Sequence, residues 1–185
     1  MTDAARIADP TTLEIAFPVL ETERLVLRGP RPEDWEAHAA FATSDRARFV
    51  GGPWSRREAW RGFAARWGHW AMRGFGMFTV TRRGSDAAIG TIGPHFPEGW
   101  AEPEIGWILY GGAEGQGLAR EAALACRDHA YRVLGWTTAI SYIHPDNARS
   151  RALAGRLGCE IDPAVPHPFD EPCLVYRHPG PEAVR

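Results

Sequence analysis

Four glycines fall within seven residues, Gly111, Gly112, Gly115 and Gly117, in the run Tyr110-Gly111-Gly112-Ala113-Glu114-Gly115-Gln116-Gly117-Leu118-Ala119-Arg120. Glycine has no Cβ, so a ligand can approach such a backbone closely. Apolar residues follow at helical spacing, at Ala119, Ala122, Ala123, Cys126, Ala130, Val133 and Leu134, with Gly135 as the stop. A helix start presents unpaired N–H groups and the positive end of a dipole. Glycine loop and helix start together suit a pyrophosphate. A P-loop would end in Gly-Lys-Ser/Thr, which this run lacks, and a dinucleotide fingerprint would need a third glycine where Arg120 stands. What remains is a GxxGxG order over residues 112–117. By itself it reads either as an anion cradle or as a tight turn between strand and helix.

The elements around this loop can be read in order. A loose arm is expected over residues 1–19, then a strand over 23–28 ended by Gly29 and Pro30. Pro32-Glu33-Asp34-Trp35 opens a first helix, with proline early and acids in the first turn. Ser55 and Glu58 form a capping box for a second helix. Its Trp60, Phe63, Ala64, Trp67, Trp70 and Ala71 make one stripe, read as sheet packing or as part of a pocket wall. Residues 74–81 and 87–93 are expected as a hairpin turning at 83–86, and 104–109 as the strand before the glycine loop. A strand over 137–143 is followed by a helix capped by Asn147, and short strands at 159–161 and 172–176 close the chain. The expected fold is α/β, a mixed sheet with helices on both faces, in a single domain over residues 20–178 with a tail at 179–185.

Composition limits the function classes. A 185-residue chain with 44% hydrophobic and 24% charged residues is an ordinary globule. Its 21 basic and 23 acidic residues leave −2, no footprint for nucleic acid or an anionic membrane. Cys126, Cys159 and Cys173 match no zinc spacing and read as small core residues in a reducing compartment, and the seven histidines do not cluster, so no metal is expected. No signal-peptide pattern opens the sequence and no apolar run reaches membrane-span length, so a cytoplasmic protein is expected.

Four pieces in order, Glu104-Ile105-Gly106-Trp107, then 115–122 (GQGLAREA), then 144–150 (HPDNARS), then Leu157-Gly158, resemble the GNAT acetyltransferases. Residues 21–28 (ETERLVLR) resemble the opening strand of their RimJ/RimL-like branch. The resemblance covers about residues 20–178. It implies a mostly antiparallel sheet with one splayed strand pair, acetyl-CoA as cosubstrate, a primary amine as acceptor, and the homodimers known in that branch. It implies that backbone groups of Ile108, Leu109 and Tyr110 bind the pantetheine arm. Gly115, Gln116, Gly117, Leu118 and Ala119 would hold the pyrophosphate, and Asn147 with Ser150 behind it the CoA arm. Arg120 and Arg156 are candidates for phosphate oxygens or else lie on a solvated helix face. Glu104 is the candidate general base, with Glu102 in reserve. A backbone N–H near Ile108 is the candidate oxyanion donor. His95 lies in a loop that would border the acceptor pocket, and His144 reads as a turn residue.

Two departures matter. Gly112 replaces the Gln or Arg of the family's phosphate pattern, and Ala154 stands where many members carry a tyrosine acid. Protonation of the thiolate then falls to Ser141, Tyr142 or water. The chain therefore reads as an N-acetyltransferase working in a ternary complex, or alternatively as a GNAT-fold protein that binds acyl-CoA with little turnover. A nicotinamide oxidoreductase fails at Arg120.

Overall fold

The computed structural model describes residues 16–184. Eight strands form one sheet in the order β1-β2-β3-β4-β5-β6-β8-β7. These are β1 Leu20–Glu21, β2 Leu25–Arg28, β3 Phe78–Arg82, β4 Ala88–His95, β5 Glu104–Leu109, β6 Ile140–Ile143, β7 Glu160–Ile161 and β8 Leu174–Arg177. All neighbours are antiparallel except β5 and β6. The helices are α1 Trp35–Ala42, α2 Arg56–Arg73, α3 Leu118–Arg132 and α4 Ala148–Arg156. The mixed α/β architecture expected from the sequence is the one observed.

Local chemistry explains the boundaries. Ser55 caps α2 by accepting from the Glu58 N–H while Glu58 reaches back to the Ser55 N–H, an arrangement that contributes about 1 kcal/mol. Asn147 Oδ1 accepts from the Ser150 N–H at 3.1 Å and starts α4. Two outcomes differ from expectation. The described end of the arm is packed: Phe17 meets Trp67 and Trp70 edge-on at 5.7 and 5.3 Å, and β1 adds a strand that periodicity is too short to show. Residues 1–15 of the expected arm lie outside the described residues. In the α2 stripe, Phe63 and Trp70 are buried but Trp60 is 54% exposed, resting edge-on against Trp35 at 4.9 Å.

Alternation along the strands sorts the sheet into two faces. Leu25, Leu27, Phe78, Val80, Ile92 and Ile105 form the main core with α3. Ile108 and Tyr110 turn the other way, against Phe41, Ala42 and Ala59 of α1 and α2. On that face Arg28 and Asp34 are a buried ion pair, with Arg28 Nη2 2.7 Å from Asp34 Oδ1 and Thr79 donating to Oδ2 at 2.9 Å. Burial alone would raise the Asp34 pKa, but the hydrogen bonds from Arg28, the Arg31 N–H and Thr79 hold it low.

Candidate active site

β5 and β6 share one paired position, Glu104 with Ile140, and part beyond it. Ile140 donates its N–H to Pro103 O at 3.0 Å, and the Ser141 hydroxyl donates to Ile105 O at 2.7 Å. The peptide groups of 103 and 105 therefore point toward β6, and alternation carries those of Trp107 and Leu109 into the gap. The Ile108 peptide lies on the β4 side, opposite Thr91. Tyr110 donates its N–H to Ile89 O and accepts from Ala113 N–H, so its backbone closes the strand end. Of the three expected strand positions, Leu109 is the one whose peptide faces the gap. Trp107, which the sequence did not single out, joins it.

The glycine loop follows directly. Gly115 and Gly117 hold φ of +74° and +77°, where a Cβ would be strained, and a Cβ at Gly115 would meet open space. Gly117 is the N-cap of α3, and Glu121 is the first residue to donate back into the helix, to Gly117 O. The N–H groups of Leu118, Ala119 and Arg120 are the orphans of that first turn. Gln116 braces the loop: its Nε2 donates to Gly112 O at 2.8 Å and its Oε1 accepts from Arg82 at 2.6 Å. Arg24 ties Gln116 O and the Glu121 carboxylate, while Glu114 pairs with Arg46 and with Arg149. None of these four arginines was expected at the loop: Arg24 and Arg149 lie in motif pieces and Arg46 and Arg82 outside them, and all four reach it from distant parts of the chain. Arg120 donates Nε to Arg156 O at 3.1 Å, closing the end of α4. Ser150 Oγ accepts from the Trp107 indole at 3.1 Å, so α4 is tied to β5 across the gap. An open loop, unpaired helix N–H groups and surrounding guanidinium groups fit a pyrophosphate, and the gap leaves strand-edge groups for an extended arm.

Glu104 lies at the closed end of the gap and is 9% exposed. Its Oε2 accepts from the Trp100 indole at 2.8 Å, and its Oε1 accepts from the Tyr142 N–H at 3.2 Å, two residues along β6 from the shared position. Burial pushes its pKa up to about 7, against those two donors. Glu102, the reserve candidate, is ruled out by geometry: both its oxygens accept from Arg177 at 2.8 Å, which holds its carboxyl low. Ser141 is fully packed and donates its proton to Ile105 O. Its Oγ then accepts from His178 Nε2 at 2.9 Å, leaving no proton for the gap. Tyr142 sends its hydroxyl to Pro166 O. His95, expected in a loop, is instead the last residue of β4, because the ladder with β5 continues to it; it lies across from Glu104, stacked on His69 at 5.2 Å, and burial lowers its pKa to about 4. His144 accepts from the Asp146 N–H, as expected of a turn residue.

The sequence matches the family description "Acetyltransferase (GNAT) domain" over residues 24–160. The chain belongs to the GNAT acetyltransferase family. An acetyltransferase of Agrobacterium tumefaciens is 37% identical, over 92% of this chain and 99% of that one, with a TM-score of 0.84. A GNAT-family acetyltransferase of Bacillus anthracis shares the fold at 23% identity and TM-score 0.68, over 87% of this chain and 96% of that one. RimL, a ribosomal L7/L12 α-N-protein acetyltransferase solved in complex with coenzyme A, shares it at 16% identity and TM-score 0.70, over 87% and 97%. Membership carries acetyl-CoA-dependent acetyl transfer as the general activity.

Proposed function

We propose that this protein moves an acetyl group from acetyl-CoA directly to a primary amine, with Glu104 as general base. The observation that carries the reading is a buried carboxylate at the closed end of the strand gap whose pKa is pushed up to about 7. A base with that pKa is well matched to an ammonium near neutrality. Acetyl-CoA, when bound, supplies a thioester whose carbonyl carbon the amine attacks. Glu104 takes the ammonium proton, directly or through one water. The Leu109 or Trp107 N–H stabilises the carbonyl oxygen as it gains charge. As the C–S bond breaks, the nitrogen gives up its second proton to water, and the thiolate takes one from water or from Glu104, since Ser141 and Tyr142 direct theirs elsewhere.

The test pairs binding with turnover. A melt with acetyl-CoA at about 100 times Kd should stabilise the protein by about 2.7 kcal/mol, while NADH leaves it unchanged. Thiol release should then require an added amine. Stabilisation with no release across amines would refute the transferase reading and leave an acyl-CoA-binding module.

A further inference from the structure

Across the sheet face that carries Glu104, Arg66 has no counter-charge among the described residues. Arg66 of α2 donates Nη1 to Thr91 Oγ1 at 2.7 Å and to Tyr110 Oη at 3.4 Å, and Nη2 to His38 Nδ1 at 3.0 Å. All three partners are neutral. Among the described residues no carboxylate pairs with Arg66, and its Nε–H and one Nη2–H remain without a protein partner. Its side chain is neither free in solvent nor fully packed. Arg28, the other guanidinium described on this face, is by contrast paired with an acid, Asp34.

The placement relative to the base is informative. Thr91 opposes Ile108 and His95 opposes Glu104, with Gly93 opposite Gly106 midway between them. Thr91, His95, Glu104 and Ile108 therefore lie on one face, and no side chain rises from the ladder between Arg66's partners and the base. From Ile108 to Glu104 the strand spans about 13 Å at ~3.3 Å per residue. What covers Gly106 is the methyl end of Met77, 3.2 Å from where a Cβ would be, an unbranched and adaptable chain. One sheet face with a carboxylate at one end and a guanidinium lacking an acid at the other is matched to a molecule with an amine at one end and an anion at the other.

We propose that the acceptor carries a carboxylate and that Arg66 binds it, which rests on the amine-acceptor reading above. A guanidinium offers a carboxylate planar, charge-assisted donors. The neutral state of both flanking imidazoles agrees, since burial first and Arg66 among the charges after it lower His38 and His95 to about 4. Arg66 thus faces no competing cation there at neutral pH.

The experiment compares α-amino acids, ω-amino acids and dipeptides, each as free acid and as C-terminal amide, by thiol release from acetyl-CoA. In the wild type the acid form should be favoured in kcat/KM by about 10–100-fold, chiefly through KM. Arg66→Gln should bring the acid-to-amide ratio of kcat/KM to about one, and Arg66→Lys should keep part of the preference. Equal use of acid and amide, preference for the amide, turnover of neither member of any pair, or a preference that survives in Arg66→Gln would each overturn the inference. The wild-type comparison needs no variant to fold. An acetyl-CoA melt on the same samples separates the failures: a retained shift means only the acidic acceptor is wrong, and a lost shift means the acetyl-CoA reading has fallen with it.

Discussion

Replacing Glu104 with glutamine keeps the side chain's shape and removes its capacity to accept a proton. Turnover should fall by about 10²–10⁴-fold. The wild-type pH profile of kcat/KM should carry an acidic limb near pH 7, where Glu104 loses its proton, and the variant should lose that limb. An acceptor amine titrating at about 7.7–8.0 would add its own limb, which Glu104→Gln leaves in place. Stability supplies an independent reading. A carboxyl at 4.5 in the unfolded chain and about 7 in the folded one means that the folded state keeps a proton the unfolded state has released. The contribution of Glu104 to stability therefore falls as pH rises from about 4.5 to about 7, by at most about 3 kcal/mol, and is flat above, while buried His38 and His95, held near 4, contribute in the opposite sense below pH 6.5. The difference between wild type and Glu104→Gln should carry the Glu104 slope, since the histidine contributions cancel in it. The variant's amide N–H would meet either the Trp100 or the Tyr142 donor, a mismatch costing about 1–3 kcal/mol. The assay is thiol release from pH 5.5 to 9 beside urea melts over the same range. Cys159 and Cys173, whose pKa values burial raises to about 11, add little thiolate background. A variant with wild-type kcat/KM and an intact limb would refute Glu104 as the base.

Three further outcomes follow from the same geometry. Ser141→Ala should cost about 1–3 kcal/mol in urea unfolding, because Ile105 O and His178 Nε2 both lose their partner, with kcat near wild type; a hundredfold loss of kcat at unchanged stability would restore Ser141 as the acid. Gly117→Ala should lose about 1 kcal/mol from its φ of +77° and weaken acetyl-CoA in calorimetry, and unchanged affinity would mean the loop is only a turn. Asp34→Ala strands the buried Arg28 and should lower unfolding free energy by about 3–5 kcal/mol, whereas a loss under 1 kcal/mol would show that water reaches the pair.

What the sequence revealed was what neighbouring residues decide. The caps at Ser55 and Asn147 depend on residues three apart, and the glycine loop on seven. What stayed hidden depends on register and long-range pairing. Glu102 and Glu104 look alike until Arg177, 75 residues from Glu102, claims one of them. Ile108 and Leu109 are equivalent until pairing with β4 decides which peptide faces the gap. Trp60 keeps helical spacing yet lies outside, because α1 covers only part of α2. Arg66 sits in no motif, and its interest lies in the acid it lacks.

The single shared position of β5 and β6 also bears on mechanics. Within the sheet itself, strands β1–β5 and β6–β8 meet at one corner, through the Pro103–Ile140 bond, the Ser141–Ile105 bond and the Glu104–Tyr142 bond, with the Trp107–Ser150 bond reaching across the open part from α4. A cosubstrate lying in the open wedge would act as mortar, restoring cross-links that the chain itself does not make. Hydrogen exchange should then report two blocks opening separately in the bare protein and one block once the wedge is filled. Glu104, the proposed base, sits where those two groups of strands meet, so every cycle of filling and emptying would flex the place where the proposal has the proton taken.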